Sequence, residues 1–304
     1  MQTRAAILWE PHTEWSVEDI ELDDPKAGEV KIKLTASGLC HSDEHMVTGD
    51  MAMDPEVAKL MQVEQYPIIG GHEGAGEVVE VGPGVTTLKE GDHVVLSFIP
   101  ACGRCPSCAQ GRQHICDLGA VLLAGRQISD MTARHHAKKN GADLGIMCCT
   151  GTFAPYTVVN EATCIKIDPS IPLDKAALVG CGVTTGWGSA VYAADVQPGE
   201  TVVVIGLGGI GMNAVQGAAF AGAEVVAVPA DRLEESFFSL STRLAGEIMQ
   251  KFVNYRLRLA IIGDISHHLE TSTALRALVR ESNRSGHIWF LPDLAALDAR
   301  LSEL

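Results

Sequence analysis

Four cysteines, Cys102, Cys105, Cys108 and Cys116, fall within fifteen residues in the spacing C-x2-C-x2-C-x7-C. No other feature restricts the fold as tightly, because thiolates this close on one loop can converge tetrahedrally on a single Zn²⁺ at about 2.3 Å. They lie in a connection over 100–150 with little apolar periodicity, and a loop that long needs something besides a core to hold it. Disulfides suit poorly an acidic chain whose first residues, MQTRAAILWE, lack the apolar stretch of a secretory leader. An iron–sulfur cluster would favour a different spacing. The spacing therefore predicts a structural zinc lobe.

The 304 residues suffice for about two domains. With 46% hydrophobic and 20% charged residues, a packed core is expected. The net charge of −15, from 23 basic and 38 acidic residues, argues against the clustered Lys and Arg that phosphate backbones require. No nucleic-acid partner is expected. No apolar run approaches the roughly 18–20 residues of a membrane span, so a cytoplasmic protein without a membrane partner is the expectation.

The totals conceal a break near residue 229. Before it lie 28 of the 38 acids, 28 of the 31 glycines and all nine cysteines. The remaining stretch is nearly neutral, with 10 acids and 9 bases, and eight of those bases are Arg. Two unrelated modules joined end to end would give such a shift.

Alternating stretches at 5–9, 30–34, 77–81 and 94–98 predict strands separated by Gly, Pro and Asp turns. Shorter strand signals follow at 154–159 and 164–167, and helical spacing begins near Leu173. From Thr201 the pattern becomes strand (201–205), glycine turn, helix (209–222) and strand (224–228), one βαβ unit. The last part predicts a helix capped by Ser241 and running to Asn254, a strand at 258–262, a helix at 272–281, a strand at 287–291, and a final helix capped by Asp293.

Three further pieces share metal-binding vocabulary: Gly38-Leu-Cys40-His41-Ser42-Asp43, Gly71-His72-Glu73 and Gly180-Cys181-Gly182. A catalytic zinc takes about three protein ligands and keeps one position open. Cys40, His72 and Cys181 would supply two thiolates and an imidazole. Singly, each has a bland explanation as a buried thiol or a core histidine. Together, beside a cysteine lobe, they suggest a second metal site.

With these motifs in the family's order and spacing, residues 1–228 resemble the zinc-dependent medium-chain alcohol dehydrogenases. The motifs are G-L-C-H-S-D-E-H at 38–45, G-H-E-G at 71–74, the four-cysteine lobe, G-C-G-V-T-T-G at 180–186 and G-L-G-G-I-G at 206–211. In detail they resemble the actinobacterial nicotinoprotein branch that uses nitrosoaniline as an artificial acceptor, and the long stretch at 49–65 suits that branch. The resemblance implies Cys40, His72 and Cys181 as catalytic zinc ligands, Glu73 as an acid beside that zinc, and Asp43 as the carboxylate orienting the histidine. It implies Ser42 and His45 as a proton relay, His41 facing the cofactor pyrophosphate and Thr185 facing the nicotinamide. Read from the residues alone, Ser42 and His45 are better explained as capping the start of a short surface helix.

Gly206, Gly208, Gly209 and Gly211 follow an apolar strand and open a helix, the context in which such glycines let backbone approach a pyrophosphate. An acid should then close the second strand and hold the adenosine ribose. Here Pro229 and Ala230 intervene, and Asp231 stands two residues late. After Val228 the resemblance ends, and the tail resembles a small bacterial domain family of unknown function.

The fold expected is α/β: a GroES-like, β-rich catalytic domain with the zinc lobe (1–165), a truncated Rossmann βαβ unit (166–228) and a small C-terminal β/α module (229–304). The resemblance implies two Zn²⁺ per chain, NAD(H) as cofactor with its binding impaired, a small primary alcohol or aldehyde as substrate, and a homo-oligomer as an open possibility. Alternatives remain: a catalytically inactive zinc-binding relic carrying a regulatory or interaction module, or a tail that extends the truncated sheet and completes a cofactor cleft.

Overall fold

Period-two alternation in the N-terminal half resolves into a barrel and a sheet. The computed structural model describes residues 1–302 of two units, Met1–Cys181 and Gly182–Leu304. Strands of the first unit are β1 (Gln2–Leu8), β2 (Ser16–Leu22), β3 (Glu29–Ser37), β4 (Ile68–Ile69) and β5 (Gly74–Val81). They continue as β6 (His93–Leu96), β7 (His135–Ala137), β8 (Asp143–Ile146), β9 (Tyr156–Asn160) and β10 (Cys164–Lys166). The closed barrel has the order β1-β2-β7-β8-β4, and the sheet the order β10-β6-β5-β3-β9.

Inward positions fill each core. Ala5, Ile7, Ile20, Ile69, Ala137 and Leu144 pack inside the barrel, and Val30, Ile32, Val78, Val94, Leu96 and Val159 pack behind the sheet. A fully buried Val or Ile contributes about 1.5–3 kcal/mol.

The connection over 100–150 is more structured than its weak periodicity suggested. β7 and β8, at three and four residues, are too short to declare a period, yet both join the barrel. A buried ion pair anchors the same stretch. Arg134 Nε donates to Glu29 Oε2 at 2.9 Å and Nη2 to Oε1 at 2.7 Å, a two-pronged pairing between fully buried side chains. Glu29 opens β3, so this fork ties the connection to the sheet.

The second unit contains β11 (Thr201–Val203), β12 (Val225–Pro229), β13 (Arg258–Ile262) and β14 (Ile288–Leu291) in one parallel sheet of that order. The tail strands therefore extend the βαβ sheet and form no separate one. A parallel sheet covered on both faces needs nearly continuous apolar strands. Val226, Val228, Leu259 and Ile261 face a core with Phe237, Phe252 and Leu275, while Val225, Ala227 and Ala260 meet Trp289 and Leu297 on the other side. The ladder between β12 and β13 ends with Pro229 opposite Ile262.

One tail prediction is corrected. Ser241 does not cap the helix, which begins at Leu244 after Arg243 takes a left-handed conformation (φ 65°). Residues Leu240–Thr242 form a tighter turn, and the Thr242 hydroxyl accepts from the Leu244 N–H at 3.3 Å. Ser272 and Asp293 do cap their helices, accepting from Leu275 and Ala296 N–H groups at 3.2 and 2.8 Å. Among the described residues, no helix is long and apolar enough to cross a membrane.

Candidate metal centres

The lobe is built by local chain geometry. Cys105 precedes a short helix, Pro106–Ala109, whose first position is a proline already set for helical φ. The N–H of Cys102 donates to Cys116 Sγ at 3.5 Å, that of Cys105 to Cys102 Sγ at 3.4 Å, and that of Cys108 to Cys105 Sγ at 3.4 Å. All four sulfurs lie within 4.8 Å of one another, and Cys105 Sγ stands 3.9 Å from Cys116 Sγ. A tetrahedron with 2.3 Å bonds separates its sulfurs by about 3.8 Å, so the set fits zinc.

Charge in the lobe is unevenly held. N–H groups of Arg104 and Cys105 lower the Cys102 thiol to about 6, whereas burial and the neighbouring thiols push Cys108 to about 12. Four thiolates this close are stable together only around a cation, and metal binding would release the remaining protons.

The other cluster is assembled from distant segments. Cys40 stands before the helix His41–Thr48, His72 and Glu73 lie between β4 and β5, and Cys181 follows the turn Ala177–Gly180. Donor atoms of Cys40, His72, Glu73 and Cys181 all lie within 4.8 Å of one another. Glycines make this approach possible. A Cβ on Gly38 would overlap the Glu73 carboxylate, and one on Gly180 would stand 2.6 Å from the Leu96 carbonyl oxygen.

Asp43 organises the cluster from beneath. Its buried carboxylate accepts the Cys40 N–H at 2.9 Å and the Gly71 N–H at 3.1 Å. It faces His72 Nδ1 at 3.7 Å, a distance of charge pairing and too long for a hydrogen bond, which leaves Nδ1 a buried ring nitrogen without a hydrogen-bond partner. Burial alone would drive His72 toward neutrality, but Asp43 and Cys181 outweigh it and raise the imidazole to about 10. Two thiols, one imidazole and the Glu73 carboxylate form a donor set suited to a divalent cation, and the residues fit zinc. Phe98 packs edge-on against His72, with ring centroids 5.7 Å apart.

On the helix after Cys40, Ser42 Oγ lies 3.7 Å from Cys40 Sγ. His45, one turn on, packs edge-on against His41 at 5.0 Å and meets Asp50 Oδ2 through Nδ1 at 3.2 Å. The long stretch at 49–65 carries a helix, Pro55–Met61, and is pinned by buried Gln65, which accepts the Met53 N–H at 2.7 Å and donates to the Met51 carbonyl at 3.1 Å. Sequence reasoning missed this clamp. The cysteines without assigned partners include Cys148 and Cys149, both buried, and burial pushes each up to about 12.

In the second unit, Thr185 lies exposed in the helix Gly182–Gly188. Gly206 turns the chain with φ 89°, a Cβ on Gly211 would overlap the Gly206 carbonyl, and Gly208 and Gly209 face open space. These match the divided duties of a phosphate-binding turn: tight turning, helix–strand packing and close approach of a ligand. Asp231 sits exposed just beyond β12, in the turn Ala230–Arg232.

Comparison with known proteins divides the chain in a similar way. A family model for the alcohol dehydrogenase GroES-like domain matches residues 26–169, and one for a domain of unknown function (DUF4180) matches 211–301. The latter match begins inside the helix Gly209–Phe220. Alcohol dehydrogenase B of Mycobacterium tuberculosis (strain ATCC 25618 / H37Rv) is 53% identical over 226 residues, 74% of this chain and 57% of that protein. The NDMA-dependent alcohol dehydrogenase of Amycolatopsis methanolica is 51% identical over 229 residues, 75% and 58% of the respective lengths. The chain thus spans less than two thirds of these relatives. The crystal structure of an alcohol dehydrogenase zinc-binding domain protein from Burkholderia ambifaria matches with a TM-score of 0.67 at 25% identity, covering 97% of this chain and 85% of that one. Likeness of fold therefore continues through the tail, where likeness of sequence to the dehydrogenases has stopped.

Proposed function

We propose that this chain, which over residues 1–228 belongs to the zinc-dependent alcohol dehydrogenases and also carries a DUF4180 domain, oxidises a primary alcohol to an aldehyde with NAD as hydride acceptor and two zinc ions per chain. One observation carries the reading. Cys40, His72, Glu73 and Cys181 come from three separated segments, yet their donor atoms lie within 4.8 Å of one another above a buried Asp43.

Zinc held by Cys40, His72 and Cys181 would supply a Lewis acid for the alcohol oxygen, and NAD would take the hydride. The protein's own part is positioning and proton transfer. Asp43 holds the His72 ring in place, and Glu73 adds negative charge beside the donor set. Ser42 accepts the alcohol proton as it releases its own hydroxyl proton toward half-exposed His45, whose ring meets Asp50 and hands a proton on to solvent. By the family's pattern, His41 in the first unit and Thr185 in the second would each serve the cofactor, and the turn through Gly206, Gly208, Gly209 and Gly211 would offer backbone N–H groups to its phosphates. The four-cysteine lobe holds the second zinc, which is structural.

A second reading makes the chain a zinc-holding scaffold with an interaction module. The observation favouring it is the outer edge of β11, which carries no strand among the described residues. A doubly wound dinucleotide domain continues beyond that strand with a second mononucleotide half. The deciding experiment is alcohol-dependent reduction of NAD, or of a carrier through bound nicotinamide, by the purified chain. Turnover that disappears in Cys40→Ser while the lobe stays folded supports the enzyme. Zinc-loaded protein that neither carries nor binds NAD(H) overturns it, and unchanged turnover in Cys40→Ser refutes the site.

A further inference from the structure

The tail has a cleft, apolar at its walls with a cluster of ionisable side chains, that the dehydrogenase reading does not use. It opens where β12 and β13 end, at the carboxyl edge of the parallel sheet, with a volume of about 480 Å³. Ligand crevices of open α/β sheets lie at this edge. Gly263, just past β13, lines the cleft with φ 141°, a conformation that side chains rarely permit, and a Cβ there would stand 3.1 Å from that of Ala230.

The lining is chemically one-sided. Asp231, Glu235 and Asp264 contribute three carboxylates, His267 and His268 two imidazoles, and no Lys or Arg lines the cleft among the described residues. Donor atoms of Glu235, His267 and His268 lie within 4.8 Å of one another, and His268 Nδ1 stands 3.6 Å from Glu235 Oε2. The two imidazole rings lie side by side with centroids 3.7 Å apart. Two protonated imidazoles at that distance would repel, so one shared cation suits the pair better than two protons.

We propose that Glu235, His267 and His268 form a third metal site, for a divalent ion of the zinc, cobalt or nickel class. Two nitrogens and one carboxylate oxygen are donors such ions accept, and they leave a coordination position open toward the cleft. His268 is held in place by Phe238, whose ring stacks on it at 4.0 Å and 11°. Glu235 is free to complete the set, since its side chain is 86% accessible. Asp231 and Asp264 supply further negative charge at the rim. The site owes nothing to the dehydrogenase residues and stands apart from the function proposed for them.

Cobalt separates this site from the cysteine centres, because cobalt bound by thiolates shows sulfur-to-metal charge-transfer bands and cobalt on nitrogen and oxygen does not. The untagged full chain, with its cysteine centres first filled with zinc, is titrated with Co²⁺ while bound metal is counted. One further equivalent is expected, without thiolate bands. His267→Ala and Glu235→Gln alter exposed side chains and should leave the melting curve of the zinc-filled protein before cobalt is added unchanged, yet each should weaken that equivalent by about 100-fold. No extra equivalent in the wild type, or the same affinity in both variants, overturns the proposal.

Discussion

The two cysteine-containing centres differ in how the chain builds them. The lobe draws four ligands from fifteen consecutive residues, and short N–H···S contacts within that loop already point its sulfurs inward. The Cys40–His72–Cys181 centre draws its proposed ligands from across 142 positions, and apart from the contacts around Cys40 no local loop brings them together. Its geometry belongs to the barrel, the sheet and the glycines that let their connections touch. A local centre should therefore fail alone, and an assembled one should fail with its frame.

Cys105→Ser tests the first half with the largest effect. Structural zinc contributes about 10–16 kcal/mol of apparent binding energy in small zinc modules. The lobe should lose its metal and its order, seen as one zinc fewer per chain and rapid proteolysis between residues 100 and 120. The other centre should keep its zinc, because the connection is held independently by the Arg134–Glu29 fork. Loss of both ions would show that the two centres are not independent.

Gly38→Ala reverses the test. The new methyl would overlap the Glu73 carboxylate, which is buried and cannot swing into solvent. Overpacking of this kind costs about 1–3 kcal/mol. Zinc should leave the assembled centre, while resistance of the lobe to proteolysis stays unchanged. Full retention of both ions would mean that the centre tolerates a displaced Glu73.

The same difference explains what the residues disclosed in advance. Cysteine spacing announced the lobe because its geometry is written over a few residues. The assembled centre was suggested by the combination of Cys40, His72 and Cys181 beside a cysteine lobe, and resemblance to a family then gave each residue its role, since singly they are ordinary. The fork between Arg134 and Glu29 joins residues 105 positions apart and has no sequence signature. Strands β7 and β8 were too short to declare a period. The apolar runs of β12 and β13 did announce strands, but whether they share one parallel sheet is a matter of pairing, which composition does not encode. The tail cluster was missed for a related reason. His267 and His268 are neighbours on a short exposed helix, and the third donor, Glu235, lies in another element altogether.

Asp43→Asn carries the smallest effect and bears on the comparison most finely, because it changes neither volume nor ligand count. The carboxylate receives two backbone N–H groups on its two oxygens, from Cys40 and Gly71. An amide has one accepting oxygen, so one of those N–H groups loses its partner. The negative charge that faces His72 Nδ1 at 3.7 Å disappears as well. Removing a carboxylate that orients a histidine ligand lowers metal affinity about 10- to 100-fold, or roughly 1.4–2.7 kcal/mol. Zinc transfer to a chromogenic chelator should therefore split into an accelerated pool from the assembled centre and an unchanged pool from the lobe. Equal rates for both pools in the variant and the wild type would mean that His72 is aimed by its own backbone. In that case the assembled centre is as locally determined as the lobe, and the contrast between them dissolves.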